Sequence, residues 1–380
     1  MIRVGVIGHK QVPSYNGGIE AVLTEMIPLF DNNEIELTIY NRWTTFYKIS
    51  EWKNKQSYGG HRVVRIPTFK KSFLNAFVYS LLASIHASFT RCNLVHYHAE
   101  GPSAMSIIPK AFGKKIVCTN HGIDWSRSKW SGFATKYLKF GEKISATKSD
   151  ALIVLSKAIK KYFKDNYNKD TILIRNGINV QERIEPSIIE EKFGLHKHGY
   201  YLAVGRMVPE KGFNYLVLAY SKLNTDVKLV IAGELVPTDY CIGLQELAKG
   251  NDNIIFTGFV KGDLKQELFS NAYAYVIPSD LEGMSISLLE ALSYGCSVVA
   301  SDIPENTNIY DGGISFFKQG DVDSLLKILE TVKPLSEESR DEQINFVKNH
   351  YNWKHIVEET IDVYREVMGS EKAKHKGEDM

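Results

Sequence analysis

Two series of short apolar runs, each alternating with helical patterns, constrain this chain more than any other feature. The first opens at RVGVIG (3–8) and continues through IELTIY (35–40), HRVVRI (61–66), NLVHYH (93–98), KKIVCTN (114–120) and DALIVLS (150–156). Strands that alternate with helices point to a parallel sheet covered on both faces. The second series opens at YYLAVGR (200–206) and repeats the logic through VKLVIAG (227–233), NIIFTGF (253–259), AYAYVIPS (272–279) and CSVVASD (296–302). SISLLEALSYG (285–295) reads as a helix closed by a glycine. Residues 180–198 are polar and turn-prone and read as a linker. The expected architecture is α/β, with two doubly wound domains over 1–180 and 199–352 and a cleft between them. In such sheets ligands sit beyond the carboxyl ends of the strands.

Composition narrows the function classes. With 380 residues the chain is long enough for two or three domains, each with its own core. Lys and Arg number 46 against 44 Asp and Glu, a net charge of +2, so a strongly basic nucleic-acid-binding surface is not expected. Aromatic content of 11% argues against disorder. Cys92, Cys118, Cys241 and Cys296 lie far apart without metal-ligand spacing, which points to a reducing compartment rather than a disulfide scaffold. The opening MIRVGVIGHK is too short for a signal sequence, and a cytoplasmic location is expected. The charged tail from about residue 370 is expected to fray.

Three loops carry candidate chemistry. Tyr15-Asn16-Gly17-Gly18-Ile19-Glu20 follows the first strand and precedes a helix. Paired glycines let backbone approach a ligand, and a helix start offers N–H groups to an anion; a simple turn explains the pair equally well. Gly205-Arg206-Met207-Val208-Pro209-Glu210-Lys211-Gly212 sets two permanent cations at a strand-to-helix turn. Arg206 could fork two diphosphate oxygens and Lys211 act as a point charge, with a solvated loop as the plain alternative. Glu282-Gly283-Met284-Ser285 leads into a helix that carries Glu290. Two carboxylates can serve hydrolysis as an acid/base pair. Beside a phosphate-suited helix start they fit nucleotide-sugar binding better.

These motifs resemble glycosyltransferase family 4, the retaining GT-B enzymes. EGMSISLLEA is similar to the family's E-x7-E signature, GRMVPEKG to its diphosphate-binding R…K loop and YNGGIE to its N-terminal glycine loop. HYHAEGPS (96–103), HGIDWSRSKW (121–130), IRNGIN (174–179) and SDIPEN (301–306) resemble rhamnosyltransferase-like bacterial members, in family order along nearly the whole chain. The resemblance implies a GT-B fold, with two Rossmann-like domains facing a central cleft and a C-terminal helix (353–368) returning to an acceptor-side N-terminal domain. It implies that Arg206 and Lys211 neutralise the donor diphosphate and that Glu282 contacts sugar hydroxyls. Gly205, Gly283, Met284 and Ser285 would line the donor site, and Glu290 would bind the ribose. Gly17 and Gly18 would sit near the phosphates, with His121 approaching the sugar. His9, Glu20 and Asp124 are weaker acceptor-side candidates. Ser285-Ile286 departs from the bulkier or Pro-containing stretch of many members.

The implied reaction is transfer from a nucleotide sugar, dTDP-rhamnose or a UDP-hexose, to a lipid-diphosphate-linked or oligosaccharide acceptor, with no metal cofactor. Two alternatives stand beside it. One is a nucleotide-sugar 2-epimerase, against which the R…K loop and E-x7-E argue. The other is a non-catalytic nucleotide-sugar-binding subunit, which would not need the full residue set.

Several features read as structural. Asp321-Val322-Asp323 spells DxD but suits a helix start. His96 and His98 share a strand face without an evident third ligand. Trp125 and Trp130 default to packing. Residues 70–91 place Phe73, Leu74, Phe77, Val78, Leu81, Leu82, Ile85 and Phe89 at helical spacing, too interrupted to span a bilayer. An amphipathic core helix is the leading expectation. The alternative is an interfacial helix with Lys70 and Lys71 near lipid headgroups, giving peripheral contact with the inner face of the cell membrane.

Overall fold

A computed structural model describes residues 1–43, 57–69, 72–123, 125 and 132–369. The chain forms two compact units: Met1–Gly177 together with the segment from Trp353 onward, and Ile178–Asn352.

The first unit holds β1 (Ile2–Ile7), β2 (Ile35–Trp43), β3 (Ser57–Tyr58), β4 (His61–Pro67), β5 (Leu94–His98), β6 (Lys115–Asn120), β7 (Ala151–Val154) and β8 (Ile172–Leu173). They lie in the order β3-β4-β2-β1-β5-β6-β7-β8. Every pairing is parallel except β3 with β4. Wholly buried strands such as β5 explain the continuous apolar runs in the sequence. The core gathers Ile7, Tyr40, Tyr79, Tyr97, Ile116, Val154 and Phe163.

The second unit is a six-stranded parallel sheet in the order β11-β10-β9-β12-β13-β14. Its strands are β9 (Tyr200–Val204), β10 (Lys228–Ala232), β11 (Ile254–Gly258), β12 (Ala274–Ile277), β13 (Val298–Ser301) and β14 (Ile314–Phe317). Both sheets reverse their strand order once, between β1 and β5 and between β9 and β12. The loops leaving the C-terminal ends of those strands flank a switch point, where doubly wound sheets receive ligands.

Two readings of the sequence need correction. Residues 180–198 are built into the second unit rather than linking two bodies. They contain the helix Ile188–Phe193, whose Ile189 is fully buried. The Glu267 carboxylate accepts from Ser187 N (2.9 Å) and Ile189 N (3.0 Å) at its start. A short helix with one buried position and a borrowed cap leaves a polar, turn-like sequence. The second concerns the helix Ser72–Ser88: it packs on the core as expected, through Tyr79, Ala83 and Ala87, but of the apolar side chains at helical spacing Phe77, Val78 and Leu81 are only half-buried. Leu74, Leu82, Ile85 and the following Phe89 are exposed, while Tyr79, Ser80, Ala83, Ser84, Ala87 and Ser88 are buried.

The C-terminal helix Trp353–Val367 packs within the first unit. Tyr364 stacks on Phe30 at 6.2 Å between ring centroids, and Arg365 forks Glu34 with Nε–Oε1 2.6 Å and Nη2–Oε2 2.7 Å. At the crossing, a Cβ on Gly177 would lie 2.5 Å from the Trp353 ring, so that position requires glycine.

Candidate active site

In the second unit the loops after β9 and β12 lock together at the switch point. Gly212 adopts φ +64°, and a Cβ there would lie 2.0 Å from Pro278 O. Asp280 N donates to Glu210 O across the same junction (2.9 Å). Gly233, which the motif reading passed over, is demanded in the same way: its Cβ would sit 1.9 Å from Gly205 O. These close approaches fix the Gly205–Gly212 loop and deliver Lys211 to Glu282.

Lys211 Nζ stands 2.5 Å from Glu282 Oε1, with the two side chains 16% and 9% exposed. Ser279 Oγ donates to the same carboxylate oxygen at 2.6 Å, and Ser279 is itself anchored by Ser301 Oγ donating to its carbonyl (2.6 Å). Burial, helped by the Glu282 charge, raises the carboxyl of nearby Glu305. One lysine therefore offsets a largely desolvated carboxylate, and removing either partner strands the other's charge. Arg206, one turn of loop away, is exposed.

Glu282 leads through buried Gly283 and Met284 to Ser285. Ser285 caps the helix Ile286–Ser293: its Oγ accepts from Leu288 N at 3.3 Å and pairs with Ser287 Oγ at 3.1 Å. Tyr275 OH donates to Ser287 Oγ at 2.8 Å, and burial pushes that phenol's pKa up. On the same helix, Glu290 Oε1 lies 2.5 Å from Lys265 Nζ. Lys265 sits inside the helix Gly262–Asn271 and belongs to no motif, so nothing in the sequence marked it as a partner.

The first unit's switch point is built differently. His9 follows β1, is fully buried and places Nε2 2.9 Å from Asn41 Oδ1. Desolvation lowers its pKa to about 4, against the opposing pull of Glu20. His9 Nδ1 is buried without a hydrogen-bond partner among the described residues. Glu20 is also buried and accepts from Lys10 N at 2.7 Å, closing the loop. Gly17 caps the helix Gly18–Met26 from extended backbone, and a Cβ there would meet Glu20 Oε2 at 2.1 Å. Gly18 is exposed.

A set of histidines stands on β5 and just after β6. His96 places Nδ1 2.7 Å from Tyr364 OH and Nε2 2.7 Å from Thr119 Oγ1. Its ring lies 4.2 Å from that of His98 between centroids, and His98 Nδ1 is 2.9 Å from His121 Nε2. Burial lowers His96 to about 3 and takes His98 well below the usual imidazole range, so both are neutral. His121, half-buried, is the outermost member. Among the described residues no group of three or more His, Cys, Asp or Glu side chains is placed to hold a metal ion.

Other readings resolve individually. Asp321 caps the helix Val322–Thr331, accepting from Asp323 N and Ser324 N, so the DxD spelling is a helix start. Trp125 donates Nε1–H to Glu142 Oε2 at 2.7 Å and lies under Lys139. Asp124 and Trp130 lie outside the described residues.

Two doubly wound α/β units form an architecture that hosts many activities. Family comparisons make this specific. The model for Glycosyltransferase Family 4 matches residues 16–182, and that for Glycosyl transferases group 1 matches 187–353. An uncharacterized glycosyltransferase of Methanocaldococcus jannaschii is 32% identical over 251 residues, covering 60% of this chain and 64% of that protein. The N-acetylgalactosamine-N,N'-diacetylbacillosaminyl-diphospho-undecaprenol 4-alpha-N-acetylgalactosaminyltransferase of Campylobacter jejuni is 24% identical, covering 63% of this chain and 66% of that protein. The chain thus spans just under two thirds of the length of these relatives. Among solved structures, Anabaena HepE in complex with UDP and glucose superposes with a TM-score of 0.76 at 16% identity, covering 96% of this chain and all of that one. The chain belongs to glycosyltransferase family 4 and has the GT-B type of fold, two Rossmann-like α/β domains with parallel sheets.

Proposed function

We propose that the protein is a retaining glycosyltransferase that moves a sugar from a nucleotide donor to a lipid-linked glycan. The product belongs to cell-surface polysaccharide synthesis (capsule, exopolysaccharide or O-antigen) at the cytoplasmic face of the membrane. The observation that carries this reading is the Lys211–Glu282 pair at the β9/β12 switch point. An arriving diphosphate competes for Lys211, and its release frees the Glu282 carboxylate to accept hydrogen bonds from sugar hydroxyls. Arg206 forks the diphosphate from the exposed side of the loop. Glu290 receives the ribose hydroxyls.

As the bond from the anomeric carbon to the diphosphate breaks, negative charge grows on the leaving group. Lys211 and Arg206, already in place, stabilise that charge without reorganisation. The acceptor oxygen bonds to the anomeric carbon on the same face, and its proton passes to a diphosphate oxygen. No protein nucleophile is required. His121 is the residue that the family resemblance assigns to the donor sugar. HepE supports a UDP-sugar donor by its bound UDP and glucose, and the Campylobacter relative supports a diphosphate-linked lipid acceptor by its name. The rhamnosyltransferase-like motifs favour dTDP-rhamnose over a UDP-hexose.

The test is nucleoside-diphosphate release from dTDP-rhamnose, UDP-glucose, UDP-galactose, UDP-N-acetylglucosamine and GDP-mannose. Each is run in EDTA, with and without a lipid-diphosphate sugar. Acceptor-stimulated release from one donor supports the reading, whereas silence across the panel with no donor binding moves the protein to a non-catalytic role.

A further inference from the structure

The second unit holds a pocket at the edge of its sheet opposite the switch point. His198, Tyr273 and Ser297 line it from just ahead of β9, β12 and β13. Arg183, from the segment 180–198, and Arg340, from the helix Glu337–His350, complete it. Its space, open mouth included, is about 210 Å³. Sites for drug-sized ligands start at about 300 Å³, so the pocket suits a small ion and not a nucleotide sugar.

Its two guanidinium groups are unequally satisfied. Arg340 is 5% exposed and bonds Gly295 O, Leu335 O and the Glu337 carboxylate. Arg183 makes a single hydrogen bond among the described residues, Nη2 to Ser270 O at 3.0 Å, although a guanidinium carries a fork of donors. Its Nε is buried with no partner among them. An unmade donor on a buried charged group is costly, and native folds seldom leave one. Burial, and after it the charge of Arg340, pushes the Arg183 pKa down. His198 is lowered too, by burial and by the charges of Arg340, Arg183 and Lys197, against the pull of its bond to Ala272 O. The acids that bear on Arg183 stand at the surface, each already paired. Glu337 is 80% exposed and bonds Arg340, and Glu185 is 77% exposed and bonds Lys197 at 2.7 Å. Exposed carboxylates are screened by water and offset the buried cations only weakly.

We infer that this pocket binds a small oxyanion, a phosphate or carboxylate group, between Arg183 and Arg340. A guanidinium offers parallel N–H donors to two oxygens, so one anion supplies the acceptors that Arg183 lacks and offsets two like charges together. The site lies ahead of the strands, whereas Lys211 and Glu282 follow their C-terminal ends. It is therefore separate from the proposed donor site and does not depend on which reaction the protein performs. Because Arg183 and Arg340 belong to different segments, the anion ties the segment 180–198 to the helix Glu337–His350, and its binding registers as stability.

The experiment follows thermal unfolding of the full chain against sodium phosphate and against sodium acetate, with sodium chloride at matched ionic strength as the reference. It compares the wild type with Arg183→Gln, Arg183→Lys and Lys211→Ala. An ion that binds only the folded protein raises the melting temperature in proportion to its occupancy. The wild type should show a rise beyond chloride with at least one of the two anions, and the one that acts names the group. Lys211→Ala, which removes a donor-site cation, should keep that rise. Arg183→Gln should need about tenfold more anion for the same rise, the scale of a lost charge-assisted contact. Arg183→Lys keeps the charge without the fork and should fall between, which carries the test if the Gln variant folds poorly. Salting effects on stability are common to every variant, so the differences among them isolate the site. Three results would overturn the inference: no rise beyond chloride in the wild type, an equal anion requirement in both Arg183 variants and the wild type, or loss of the rise in Lys211→Ala, which would put the anion at the donor site.

Discussion

The two switch points are made from opposite materials. At β9/β12 the side chains are permanent ions held in short pairs, Lys211 with Glu282 and Lys265 with Glu290, each at 2.5 Å. At β1/β5 a single buried carboxylate, Glu20, closes the loop, and the other groups are imidazoles kept neutral by burial, His9 at about 4 and His96 at about 3, with Asn41, Thr119 and Tyr364 as partners. A charged ligand displaces one member of an ion pair and takes its place. Uncharged imidazoles offer no such exchange, and they suit a sugar hydroxyl better than a phosphate. The chemistry of each half thus follows from whether its polar groups carry charge inside the fold.

The largest expected effect separates the halves by activity. Lys211→Ala should lower kcat/KM by about a thousandfold, because it removes a cation preorganised for the leaving group. His121→Ala should cost about tenfold to a hundredfold, the scale of lost hydrogen bonding. Comparable losses for both, measured as acceptor-dependent nucleotide release, would erase the distinction. Next in size is the coupling inside the charged pair. Glu282→Gln alone should be strongly impaired, yet adding it to Lys211→Ala should cost much less than the product of the two single losses. Independent effects would show that the pair does not act as a unit.

The third prediction concerns pH and stability, and it belongs to the neutral half. His9 and His96 stay unprotonated in the fold down to about 4 and about 3, while the unfolded chain binds protons below about 6.5. The unfolded state therefore holds more protons between those limits. Stability contributed by these histidines is complete above about pH 6.5 and falls as pH drops, with a slope approaching ~1.4 kcal/mol per pH unit for each. His96→Gln should flatten the decline in thermal unfolding between pH 6.5 and 4.5; an unchanged slope would place the titration elsewhere. The smallest effect is expected at Lys265→Met. It releases Glu290 and should raise KM for the donor about fivefold with kcat retained.

Much of the fold was legible in the residues. Buried parallel strands leave uninterrupted apolar runs, and each predicted run from RVGVIG to CSVVASD contains a strand. The charged loops stood out through their resemblance to the family's motifs, since a solvated loop fits the Gly205–Gly212 residues equally well on local grounds. What stayed hidden needed the third dimension. Tyr364 meets His96 from 268 positions away, and Lys265 reaches Glu290 from a different helix. Periodicity located the stripe on the Ser72–Ser88 helix but could not say which side meets the sheet. Serines that bond their own backbone pack as closely as alanines, so the polar-looking face went inward. The sequence position of His9 beside the first loop likewise says nothing of its bond to the Asn41 amide.

Calorimetric titration of UDP, dTDP and GDP into the wild type and Lys211→Ala tests the central claim most directly. If the β9/β12 switch point holds the donor diphosphate, one nucleotide binds the wild type and the variant loses about a hundredfold or more in affinity, the scale of a charge-assisted contact. Equal affinity in both proteins would contradict the account, leaving the Lys211–Glu282 pair as a structural bridge.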